Sequence, residues 1–152
     1  MKTLFLTIGA VAALVTTAAA QTGGMADTIH GRQARYKQMG GAMKGISDQL
    51  HGGAPSIPAI QQSSRLLVTY APQLLRWFPR GSGEEAGVRT RARPEIWSDA
   101  LGFQRAGATL LVAVRTLNDA ARRGDIDGVR AAMPQVAHAC GGCHDDYRAA
   151  EH

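Results

Sequence analysis

Apolar side chains recur at alternating steps of three and four in four stretches of the chain, the spacing that keeps them on one face of a helix. The first stripe is Ile29, Arg32, Tyr36, Met39, Met43, Ile46, Leu50, and the second is Ile57, Ile60, Ser64, Leu67, Ala71, Leu74, Phe78. The third is Ile96, Ala100, Phe103, Gly107, Leu110, Val114, Leu117, Ala121, and the fourth is Ile126, Val129, Met133, Val136, Cys140, Cys143, Tyr147. No strand-like alternation and no internal repeat competes with them. His51-Gly52-Gly53-Ala54-Pro55 separates the first two stripes, and Gly124-Asp125 offers a helix-ending glycine followed by an N-cap aspartate between the last two. Pro79 to Arg93 is a longer connection rich in glycine and arginine, ended by Pro94 at a position suited to a first helical turn. Two short links and one longer one predict an all-α fold, an antiparallel up-down-up-down four-helix bundle. Pro72 and Pro134 fall inside predicted helices, where each removes a backbone donor, so a kink or a helix end is expected at each.

Two members of the first stripe are out of character. Arg32 and Tyr36 lie one turn apart on the face that looks inward, and a buried guanidinium is costly unless an anion pairs with it. The bland alternatives are an arginine that reaches water from the fraying start of its helix and an ordinary core tyrosine bonded to backbone. Gly40, Gly41 and Gly45 weaken the same helix locally and let another helix approach closely.

The ends of the chain carry the strongest signals. Lys2, the apolar run Leu4 to Val15 and Ala18-Ala19-Ala20 read as a secretory signal peptide, residues 1–20, with cleavage after Ala20. The run is short for a membrane span and no second one follows, so residues 21–152 are expected to form one exported domain with no membrane attachment. The net charge of +5 leaves a mildly basic surface, which constrains partners little. Arg76, Arg80, Arg89, Arg91 and Arg93 surround the long loop with few aromatics between them, which favours a solvated face or a redox-partner patch over nucleic acid.

Near the other end stands Cys140-Gly141-Gly142-Cys143-His144, with the only two cysteines of the chain. Two thiols three residues apart on a helix can form thioethers to the vinyl groups of a haem while the next imidazole takes its iron. A disulfide, a redox dithiol and a zinc site from His138, Cys140, Cys143 and His144 compete with that reading. The dithiol usually follows a strand in a βαβ pattern, and structural zinc sites usually draw two pairs of ligands from separate segments. Haem c, one per chain and attached outside the bacterial cytoplasmic membrane, is therefore expected, with the periplasm as the address.

Taken with Arg32-Gln33-Ala34 and Tyr36, Phe78-Pro79 before a glycine-rich loop, Pro94-Glu95-Ile96-Trp97-Ser98-Asp99, and the end Cys140 to Arg148, the sequence resembles the cytochrome c prime family, the class II c-type cytochromes. The resemblance spans essentially the whole mature chain. It implies a pentacoordinate, largely high-spin haem with His144 as the iron ligand, the opposite position vacant, and a homodimer formed through the first two helices. It also implies cofactor-binding roles for Arg32 and Gln33, with Arg32 near a propionate. Tyr36 would cover the open iron face, Phe78 would touch the distal pocket, and Arg148 would stand beside the proximal imidazole. A cation there disfavours imidazolate character and weakens the proximal bond, which in this family is associated with displacement of histidine by nitric oxide.

A dry apolar pocket should reject anions and admit small neutral ligands such as nitric oxide and carbon monoxide. Oxygen needs a donor, and the Tyr36 hydroxyl is the one on offer, so weak oxygen binding is expected. The rival reading is a low-spin carrier dedicated to electron transfer, with a methionine sulfur as sixth ligand. Met39 and Met43 share the Tyr36 stripe and Met25 lies upstream, though methionine on a helical stripe more often fills core. No general base, nucleophile or substrate cleft is legible, so the chain is not read as an enzyme.

Overall fold

A computed structural model describes the backbone of residues 17–150 and side chains from Gly24 onward. It contains α1 (Thr17–His51), α2 (Ile57–Tyr70), α3 (Glu95–Ser98), α4 (Ala100–Arg122) and α5 (Ile126–Tyr147). Residues 1–16 of the expected leader lie outside the described residues. Helix α1 packs on α2, α2 on α4, α4 on α5 and α5 back on α1, closing the antiparallel four-helix bundle that the stripes predict. The α1–α5 seam is the sparsest of the four, and it is where the bundle holds a cavity.

The stripes become the core. Ile29, Ile46, Ile60, Leu67, Val114, Leu117, Val129 and Val136 are fully buried, each contributing about 1.5–3 kcal/mol of hydrophobic stabilisation. Ser64, the one hydroxyl on the second stripe, is also fully buried and donates to the Gln61 carbonyl and to Asn118 Oδ1 across the α2–α4 seam. Paired in this way, two buried polar side chains fix the register of those helices.

Helix ends follow local chemistry. Helix α2 stops at Tyr70, and Ala71–Trp77 continues as a 3₁₀ segment with Pro72 in its first turn, as a proline there requires. Gly124 takes φ +69° to close α4, and Asp125 accepts from the Gly128 amide at 2.8 Å to start α5. Helix α5 runs unbroken through Pro134, so the helix end allowed for there does not occur.

One expectation needs correction and one alternative falls away. The third stripe is not one helix: it breaks at Asp99, where φ −110° and ψ 58° interrupt the backbone and the side chain caps the Gly102 amide at 3.0 Å. The carboxylate competes successfully with the ladder because it also takes the Tyr147 hydroxyl at 2.9 Å. Helix α1, moreover, begins well before Ile29, so Arg32 sits in its interior and is 2% exposed, not frayed into water.

Candidate haem site

All eight residues singled out from the sequence line one cavity of ≈ 400 Å³ between α1 and α5: Arg32, Gln33, Tyr36, Phe78, Cys140, Cys143, His144 and Arg148. Met39, Met43, Leu67, Ile96 and Phe103 complete an apolar wall, and Thr90, Arg91, Ala92 and Tyr147 close one edge. Helical spacing explains the convergence. Arg32, Tyr36, Met39 and Met43 are consecutive on the inner stripe of α1, and Cys140, Cys143, His144 and Tyr147 are consecutive on that of α5.

On the α1 side, Arg32 is buried and donates from Nη1 to Ser82 Oγ (2.8 Å) and from Nη2 to the Ser82 carbonyl (2.7 Å) and Thr90 Oγ1 (2.8 Å). Its guanidinium lies 4.5 Å above the Phe78 ring. Burial lowers its pKa, and no carboxylate among the described residues pairs with it. A guanidinium has five N–H groups, so donors remain beyond the three used. Gln33 adds a bond to the Arg89 carbonyl at 2.9 Å. Together these residues clasp the long loop onto α1. Ser82 and Thr90 carry no mark of this partnership in the sequence, because they lie 50 and 58 positions from Arg32.

The same loop is tied to the end of α5. The Arg93 amide donates to the Tyr147 carbonyl (3.1 Å), the Ala149 amide to the Arg91 carbonyl (2.9 Å), and Arg91 Nε to the Ala149 carbonyl (2.8 Å). Arg91 thereby joins Arg148 near the imidazole. Burial first, then these two cations, hold the His144 pKa below its ordinary value, so the ring is neutral and can act as a metal ligand. Sequence reasoning missed Arg91, since it depends on a loop pairing with no periodic signature.

Tyr36 is held by rings. It meets Trp77 edge-on at 5.5 Å and Phe78 at 6.2 Å between centroids, and its hydroxyl has no hydrogen-bond partner among the described residues. Burial, with the nearby Cys143 thiol as a smaller cause, pushes its phenol well above the usual range. Cys140 and Cys143 are half-buried and not joined to each other. Burial raises both thiols, Cys143 to about 11, so neither has the thiolate character of a redox dithiol. Among the described residues, no group of three or more His, Cys, Asp or Glu is placed to hold a metal, which leaves the zinc alternative without a ligand set.

These residues fit a haem c. The donor set is two free thiols and a neutral imidazole on one helix face, the wall is apolar and aromatic, and a buried guanidinium opposite has donors left for a carboxylate. Trp97 lies outside the cavity lining, with its indole N–H donated to the Phe78 and Pro79 carbonyls at 3.1 and 3.2 Å. His138 lies apart, exposed on a groove with Thr109, Val112 and Pro134.

Residues 27–148 match the family model of cytochrome c′. A cytochrome c′ of Alcaligenes xylosoxydans xylosoxydans is 34% identical over 122 residues, covering 80% of this chain and 93% of the relative. Among solved structures, a ferrous cytochrome c prime variant of Alcaligenes xylosoxidans with bound NO superposes with a TM-score of 0.74 at 29% identity, covering 84% of this chain and 97% of that one. A cytochrome c′ with an unusual ligand-controlled dimer dissociation gives 0.76 at 26% identity, covering 83% and 97%. With its helices, its cavity and its thiols in this arrangement, the chain belongs to the cytochrome c′ family and carries that family's covalent haem c.

Proposed function

We propose that this protein is exported to the periplasm, forms a homodimer through α1 and α2, and binds nitric oxide and carbon monoxide at a vacant haem position, passing single electrons as a secondary role. The observation that carries the reading is the convergence of the eight residues on one cavity wall. Cys140 and Cys143 would hold the cofactor, His144 would be its axial ligand, and Arg32 would face a carboxylate. The haem iron supplies the site for gas binding and a one-electron couple; everything else is done by the chain's own side chains.

Tyr36 would exclude water from the ligand side of the cofactor and would have to move aside for a ligand. Its unpartnered hydroxyl is one donor, too few to favour oxygen strongly. Arg148 and Arg91, the cations near the imidazole, lower its basicity, so it would be a weak donor to the iron. Homology supports the ligand and the assembly, since NO is bound in one solved relative and a dimer dissociates under ligand control in another. No helix among the described residues is long and apolar enough to cross a membrane, in keeping with export. The reading is of a binding protein rather than an enzyme.

A second reading has its own observation. Met39 and Met43 both line the cavity, within the same stripe as Tyr36, and a sulfur from either would make the protein a low-spin electron carrier. Tyr36 favours the open site, because its ring lies against Trp77 and Phe78 on the same wall as the sulfurs.

Intact mass of the protein recovered from the periplasm tests attachment and export together. The expected mass is that of residues 21–152 plus one haem, and Cys140→Ala with Cys143→Ala should yield the chain without it. A wild-type mass lacking haem would overturn the proposal.

A further inference from the structure

The chain has three tyrosines, and each is linked to the cavity by ring contacts. Tyr36 lines the wall; Tyr70 lies one ring behind it, 5.7 Å from Trp77, which is 5.5 Å from Tyr36. Tyr147 lines the wall on the α5 side and stacks edge-on against Phe103 at 5.2 Å. All three rings thus lie on the cavity wall or one ring behind it. What distinguishes them is the partner of the hydroxyl.

A phenol loses its electron easily only if its proton has somewhere to go, since the phenol radical cation is a very strong acid. The Tyr36 hydroxyl has no acceptor among the described residues. That of Tyr70 donates to the Gln38 amide oxygen at 2.7 Å, a group too weakly basic to take a proton. The Tyr147 hydroxyl donates to Asp99 Oδ2 at 2.9 Å, and the carboxylate is fixed in place by the Gly102 amide on its other oxygen. Asp99 itself is exposed, so a proton it receives can pass to water.

We infer that Tyr147, with Asp99 as its proton acceptor, is the side chain on which an oxidising equivalent generated in the cavity comes to rest. The inference rests on the haem reading above. The oxidising equivalent comes from a hydroperoxide. Hydrogen peroxide would take one electron from the haem's one-electron couple and one from Tyr147, its O–O bond breaking to give two hydroxides. The phenol proton moves to Asp99 and then to solvent, where it neutralises one hydroxide; Tyr147 is left as a neutral phenoxyl radical. Ending there keeps the vacancy off the thioether-forming cysteines and the imidazole on the same helix face.

The test is to add one equivalent of hydrogen peroxide to the reduced holoprotein, freeze the mixture rapidly, record the electron spin resonance spectrum, and map oxidised residues by peptide mass. A neutral tyrosyl signal with oxidation at Tyr147 is expected. Tyr147→Phe, which keeps the ring against Phe103, should abolish that signal, and Asp99→Asn, which keeps an acceptor but no base, should cut its yield several-fold. Tyr70→Phe should retain it. A signal that survives Tyr147→Phe, is lost in Tyr70→Phe, or is unchanged in Asp99→Asn overturns the inference. Haem absorbance recorded on each sample separates that failure from failure of the underlying reading, which would show as wild-type protein without haem.

Discussion

Tyr36 and Arg32 are held at the cavity wall by opposite means. Tyr36 is aromatic bulk on the cavity wall, held by Trp77 and Phe78, with no hydrogen-bond partner for its hydroxyl among the described residues. Tyr36→Ala should therefore speed carbon monoxide association in flash photolysis, and an unchanged rate would remove Tyr36 from the entry path. Arg32 is a buried cation satisfied by three neutral oxygens of the loop. Arg32→Leu leaves the Ser82 carbonyl and Thr90 hydroxyl without that donor, a loss of about 2–3 kcal/mol that denaturant unfolding would report. Because a cation beside the cofactor favours its reduced form, the same variant should lower the midpoint potential; an unaltered potential would place Arg32 in a purely structural role. Both residues were legible in the sequence as misfits on an apolar stripe. Their partners were not, since a loop's hydrogen bonds leave no periodic trace.

The bundle helices answered to periodicity, and the departures from it have a common cause. The third stripe reads as continuous because its side chains keep phase across Asp99, yet one carboxylate bonded to the Gly102 amide and the Tyr147 hydroxyl outweighs the backbone ladder. Pro72 ends α2 where Pro134 leaves α5 intact, a difference the two prolines do not announce. Asp99 gives the junction a pH dependence with a definite sign. The Tyr147 hydroxyl first, then the Gly102 amide, hold its carboxyl below the ordinary value. A depressed pKa adds stability that is present above the unfolded value of about 3.9 and is lost as pH falls through the folded one. Acid unfolding of wild type should thus steepen below the usual carboxylate range, and Asp99→Asn should flatten that limb. Parallel acid curves for the two proteins would count against the junction.

At the scale of the molecule, the loop from Pro79 to Arg93 matters as much as any helix. It is clasped by Arg32 and Gln33 on α1 and paired with Tyr147 and Ala149 beyond α5, spanning the sparsest seam of the bundle. That brings Arg91 toward His144 and closes the cavity edge. The eight positions read as cofactor-binding stand out in spaced motifs and line one cavity, whereas the loop's role appears once the helices are assembled. One position of the iron decides between gas binding and dedicated electron transfer, and the absorption spectrum of the reduced holoprotein with and without carbon monoxide examines it directly. A broad high-spin Soret band that sharpens on adding the gas is predicted. A low-spin spectrum indifferent to carbon monoxide would contradict it and assign the sixth position to a sulfur such as that of Met39 or Met43.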